Sequence, residues 1–160
     1  MTKFFFALIV LSLGAYAGAQ GFDWEAIGEA TYANCAGCHQ TNGKGVPGVF
    51  PSLAGHLPNI VAKQGGRSYL IQVLLFGLQG EINVLGQALD GAMPAWGASL
   101  SDEQIAAVLN HELHSWGNAD LLPADFALIL PEEVAALRNA RLNSSQTYEL
   151  RTALELDPSD

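Results

Sequence analysis

Apolar residues recur at helical spacing in several short stretches of this chain, most clearly between Asp102 and Trp116. There Ile105, Val108, Leu109, Leu113 and Trp116 fall on one face. Ser101 and Gln104 form the S-x-x-Q pattern that caps a helix start, and Gly117 stands where a helix stops. Asp23 to Ala33 predicts a first helix, with Asp23 as N-cap and Glu25 in the first turn, where the helix dipole favours an acid. Gly43 to Gly55 is a loop rich in Gly and Pro. Asn59 to Lys63 predicts a helical turn that Gly65 and Gly66 break. Ser68 to Gly77 predicts a buried helix carrying Tyr69, Leu70, Val73, Leu74 and Phe76. Glu81 to Leu89 alternates weakly around Gly86 and predicts a small hairpin. Further on, Pro131 opens a helix to about Ala140, and Ser144 or Ser145 caps another to about Leu156.

The first residues form a different pattern. Lys3 is followed by an apolar run from Phe4 to Leu13, and Ala17-Gly18-Ala19 offers a small-x-small cleavage site. Residues 1–19 therefore read as a signal peptide cut before Gln20. The alternative, an uncleaved anchor, is disfavoured because the run falls short of the roughly 20 apolar residues of a membrane span. The expected product is a chain outside the cytoplasmic membrane, in the periplasm or on the membrane's outer face, with no span of its own. Residues 20–117 and 118–160 read as a main domain and a C-terminal extension.

Charge narrows the partners. The 160 residues hold 7 Lys+Arg against 16 Asp+Glu, a net charge of -9. Loss of Lys3 with the leader makes the product more acidic still. Nucleic acid and anionic lipid, which need basic patches, are thereby excluded as main partners.

The chemistry sits in Cys35-Ala36-Gly37-Cys38-His39, a C-x-x-C-H attachment site for c-type haem. Two thiols at this spacing can each add to a vinyl group on one porphyrin edge, which brings His39 to the iron as proximal ligand. The motif occurs once. Competing readings are a thioredoxin-like redox pair, half of a zinc site, or a structural disulfide. The first wants a βαβ context, the second lacks further Cys, and the third leaves His39 unexplained. For the sixth ligand the chain past the leader offers one thioether, Met93 in Gly91-Ala92-Met93-Pro94, and the imidazoles of His56, His111 and His114. Met93 is the expected ligand and His56 the alternative. His111 and His114 are expected at the surface. Tyr69, Leu70, Leu74 and Phe76 are candidates for haem lining or for ordinary core.

With these residues in place, the chain resembles a class I bacterial cytochrome c. Within that family it resembles the soluble cytochromes of thermophilic bacteria that feed ba-type terminal oxidases. The stretches NCAGCHQTNGKGVPGVFPSLAGH, GGRSYLIQVLLFGLQGEINV, DEQIAAVLNHELHSWGN and PEEVAALR carry the likeness over most of residues 22–142. The resemblance implies an all-α cytochrome c fold of short helices round one haem, with a β insertion and an extension that wraps the haem domain. It implies that the Pro51 carbonyl accepts a hydrogen bond from His39, that Gly28 and Trp116 join first and last helices, and that Arg67 either meets a haem propionate or is a solvated surface residue. It also implies a monomeric one-electron carrier that is not an enzyme, fed by a quinol-oxidising complex and emptied by a terminal oxidase. Those relatives are usually Lys-rich, whereas this chain is acidic, so an apolar or basic partner patch is expected at the haem edge. Two other functions compete. One is a permanent subunit of a larger oxidoreductase, with the apolar Leu121 to Leu130 stretch as interface. The other is a ligand-binding haem with an open sixth position.

Overall fold

A computed structural model describes residues 21–160. The signal peptide assigned to residues 1–19 lies outside the described residues. In chain order the elements are α1 (Trp24–Tyr32), α2 (Ala36–His39), α3 (Leu57–Val61), α4 (Gly66–Phe76), β1 (Leu78–Val84), β2 (Gln87–Met93), α5 (Asp102–His114), a 3-10 turn (Asn118–Leu121), α6 (Pro131–Arg138) and α7 (Ser144–Ala153). The fold is helical with one antiparallel hairpin, as the pattern predicts. The hairpin is longer than the pattern indicates, because its ends pair through Leu78 and Met93 and through Val84 and Gln87. Asn143, rather than a serine, caps α7 by accepting from the Gln146 backbone N–H at 2.9 Å. The box of Ser101 and Gln104 closes at α5 with bonds of 3.0 and 3.1 Å.

α1 packs across α5. Gly28 makes the crossing possible, since a Cβ there would lie 2.4 Å from the Ala107 carbonyl oxygen and 2.7 Å from His111 Cβ. The Gly28 contact is thus with Ala107 and His111, not Trp116. Trp116 lies instead on Gly43 and beside Tyr32, 5.0 Å between ring centroids, with its indole N–H donating to Thr41 O. The core joins Tyr69, Leu70, Ile71 and Leu74 of α4 to Ile105, Val108, Leu109 and Leu113 of α5. His111 and His114 are half-buried rather than on the surface: His114 packs between Trp24 and Phe126, and His111 beside Tyr32.

Residues 118–160 are fastened to the rest by side chains the pattern did not single out. Asn110 is fully buried on α5; it donates to Ile129 O at 2.9 Å and accepts from Ile129 N at 2.8 Å, filling both backbone groups as a neighbouring strand would. Arg67 donates to both carboxylate oxygens of Glu133 and to the carbonyls of Ala127 and Leu128, all at 2.6 Å. This replaces the propionate role expected of Arg67: a fork geometry suited to a carboxylate finds one on α6 instead. Arg138 reaches Asp102, Gly97 O and Leu100 O. Four of the seven Lys and Arg (Lys63, Arg67, Arg138 and Arg151) bond in this way between the extension and the remainder of the chain. Two of these ties are ion pairs, Arg67 with Glu133 and Arg138 with Asp102, each 2.6 Å.

Candidate functional site

α1 ends at Tyr32, and the chain turns into α2 through Cys35, whose N–H donates to Tyr32 O at 2.8 Å. α2 is a single turn, closed by His39 N donating to Cys35 O at 3.0 Å. That turn puts Cys35, Cys38 and His39 on one side of the molecule, with Cys35 buried, Cys38 exposed and His39 only 7 % exposed. Both thiols are free. Burial, with the Glu112 carboxyl and Cys38 nearby, pushes the Cys35 thiol up to about 12.

The loop after α2 folds back on itself. Gly45, at φ +63°, lets the chain pass so close that a Cβ would stand 2.2 Å from Phe50 O and 2.4 Å from Pro51 O. The loop is tied by Leu53 N and Ala54 N donating to Gly43 O, and by Asn118. The Asn118 side chain, fully buried, accepts from Gly55 N at 2.7 Å and donates to Leu53 O and Glu112 O. The result is that Pro51 O faces His39 Nδ1 at 3.0 Å. A carbonyl only accepts, so Nδ1 carries the proton and Nε2 keeps its lone pair. Burial lowers the imidazole's pKa, which favours the neutral ring that ligates metals.

Cys35, Cys38, His39 and Pro51 form one wall of an apolar cleft of about 800 Å³ counted to its open mouth. The hairpin supplies most of the remaining lining: Leu78, Gly80 and Ile82 of β1 and Leu89, Gly91, Ala92 and Met93 of β2, continued by Pro94 and Trp96. Val49 and Phe50 stand at the loop side, 57% and 37% exposed. Tyr69, Leu70, Leu74 and Phe76 do not line it: the first three are buried core and Phe76 packs against that core. Apolar lining comes instead from the hairpin, whose pattern is too weak in sequence to suggest it.

His56 is also absent from the cleft. It is buried, its Nδ1 donates to the main-chain oxygen of Asp160 at 2.9 Å, and its Nε2 faces Arg151 at 3.4 Å. Both nitrogens are engaged, which removes it as a second imidazole ligand. Among the described residues no group of three or more His, Cys, Asp or Glu is placed to hold a metal ion, which leaves the zinc reading without a donor set. Cys35 and Cys38 follow a helix rather than a strand, so the thioredoxin-like context is missing too.

The donor set fits haem. Two thiols, an imidazole with a free Nε2 and a thioether converge on one apolar slot, and no polar side chain is left buried without a partner among the described residues.

The chain belongs to the cytochrome c family and is a class I cytochrome of the thermophile type, whose cofactor is haem c. Residues 23–111 match the family described as "Cytochrome C oxidase, cbb3-type, subunit III". A cytochrome c-552 of Thermus thermophilus is 50% identical over 146 residues, covering 91% of this chain and 94% of that protein. A second Thermus thermophilus cytochrome c-552 is 51% identical over 132 residues, 82% of this chain and 99% of that protein. The cytochrome c subunit of a quinone-dependent alcohol dehydrogenase from Gluconacetobacter polyoxogenes is 38% identical over 92 residues, only 19% of its own length. The chain is an electron carrier like the full-length relatives and not an enzyme.

Proposed function

We propose that this chain carries one haem c, bound covalently through Cys35 and Cys38, with His39 and Met93 as axial ligands. In this reading residues 20–117 are the haem domain and residues 118–160 its extension. The chain works outside the cytoplasmic membrane, taking electrons from a quinol-oxidising complex and passing them to a terminal oxidase. No helix among the described residues is long and apolar enough to cross a membrane. The observation that supports the reading is that His39, bonded to Pro51, lines the same apolar cleft as Met93, Cys35 and Cys38.

When bound, haem supplies a reversible one-electron couple at its iron. The residues of the chain hold that couple still. The Pro51 carbonyl keeps the proton on His39 Nδ1, fixing ring orientation and ligand basicity. Met93 presents a thioether, a donor that favours reduced iron and raises the potential. The apolar walls exclude water, which disfavours the more positive oxidised site. Cys38, Val49 and Phe50 are exposed around the mouth, an apolar edge for a redox partner. Such an edge suits a partner patch that is apolar or basic, since the chain carries a net charge of -9.

A pyridine haemochrome spectrum of the purified holoprotein tests the attachment: thioether-linked haem is expected, and loss of Cys35 or Cys38 leaves at least part of it extractable. The far-red band of the oxidised protein tests the axial ligand. Met93→Ala is expected to abolish it, and a band that survives refutes the assignment. A second reading, a subunit of a larger oxidoreductase, draws on Leu121 and Leu130, which stay 58% and 46% exposed. Co-elution with an enzyme in native size exclusion decides for it.

A further inference from the structure

The hairpin that carries Met93 has two strands, and a two-stranded hairpin is marginally stable by itself. Its base is held by the chain, because Gly77 joins α4 to β1, and Trp96 N and Gly97 N donate to Leu74 O and Leu75 O. Near the turn the Gln87 side chain accepts from Gly48 N at 3.3 Å, and residues 148–160 hold the hairpin at three further points.

At the first point the Tyr148 ring fills the space beside Gly80, where a Cβ would lie 2.7 Å from Tyr148 Cδ2. Gly80 stands opposite Gly91, two residues before Met93 in β2. At the second, the guanidinium of Arg151, only 8% exposed, donates to Asn83 O at 2.7 Å. At the third, the turn residues Leu85 and Gly86 donate their N–H groups to Asp160 O and Pro158 O at 2.9 and 2.8 Å. His56, reached by both Arg151 and Asp160, ties this end of the extension to α3.

We infer that Tyr148 and Arg151 are positioning residues for the axial methionine: through the hairpin they keep Met93 on the cleft wall and keep external ligands out. The extension is then part of the redox site, although none of its residues lines the cleft. The inference rests on the reading of Met93 as ligand.

Displacement of the methionine by added imidazole in the oxidised holoprotein, followed at the far-red band, measures how often that wall opens. Tyr148→Ala and Arg151→Ala are expected to speed it about tenfold, the change that local loosening of a hairpin brings. Arg67→Ala loosens the extension at α6, away from the hairpin, and is expected to stay within about twofold of the parent. The rates are compared at temperatures where circular dichroism shows each variant folded, and the midpoint potential is read alongside. Tyr148→Ala and Arg151→Ala should also lower the potential. If they displace methionine no faster than Arg67→Ala does, the extension only stabilises the fold and the inference is overturned. If Met93→Ala keeps the far-red band, the ligand assignment itself fails.

Discussion

Pro51 holds its carbonyl oxygen 3.0 Å from Nδ1 of His39, twelve residues earlier in the chain. Three features bring them together: the single turn of α2, the positive φ of Gly45 and the side chain of Asn118. Gly45→Ala tests the arrangement. Its methyl group would collide with backbone atoms of Phe50 and Pro51, which cannot swing aside as a flexible side chain would. The expected loss is about 2–4 kcal/mol in denaturant unfolding, from combined strain and a displaced loop.

Asn110→Ala removes both backbone partners of Ile129 in a site closed to water. Two buried backbone groups left unpaired should cost about 2–4 kcal/mol. Limited proteolysis should then cut the segment between residues 119 and 130 before it cuts α5. Equal cutting in the parent protein would show that Asn110 does not fasten the extension.

Glu112 is buried on α5 and burial raises its pKa to about 8. The folded chain thus binds this proton more tightly than the unfolded chain does. The associated stability is complete below about 4.5 and is lost as pH rises through about 8. The loss across that window should be at most about 5 kcal/mol. Glu112→Gln should flatten the decline between about pH 4.5 and 8, read from urea midpoints. A parallel decline in both proteins would clear Glu112 of the effect.

His56 behaves in the opposite sense. Burial, and then the Arg151 charge, push its pKa down to about 4. Its neutral form is favoured by folding, so stability is full above the ordinary 6.5 and is lost as pH falls toward about 4. The hairpin and the end of the extension should loosen first, because His56 bonds to Asp160 and faces Arg151. Hydrogen exchange at pH 5 should show faster amide exchange at Leu85 and Gly86 than at α5. His56→Gln should remove most of the pH dependence at those two amides.

Chemistry written over short distances is legible before any folding. Cys35, Cys38 and His39 lie within five residues, so their spacing alone constrains what they can bind. The same holds for the α5 box, where Ser101 and Gln104 satisfy each other's backbone. Met93 is the one thioether past the leader, and it lines the same cleft as Cys35, Cys38 and His39.

Tertiary structure alone decided which residues surround that chemistry. Asn110 and Asn118 look in sequence like ordinary polar residues of a helix and its exit, yet they bond across 19 and 65 positions. Arg67 has no local partner that would show its tie to Glu133, 66 residues away. The hairpin became the cleft wall, and the α4 apolar residues became core, because hydrophobic periodicity reports that a side chain is buried but not what it is buried against. Contacts between distant positions follow from packing the whole chain at once, and no short window contains both partners.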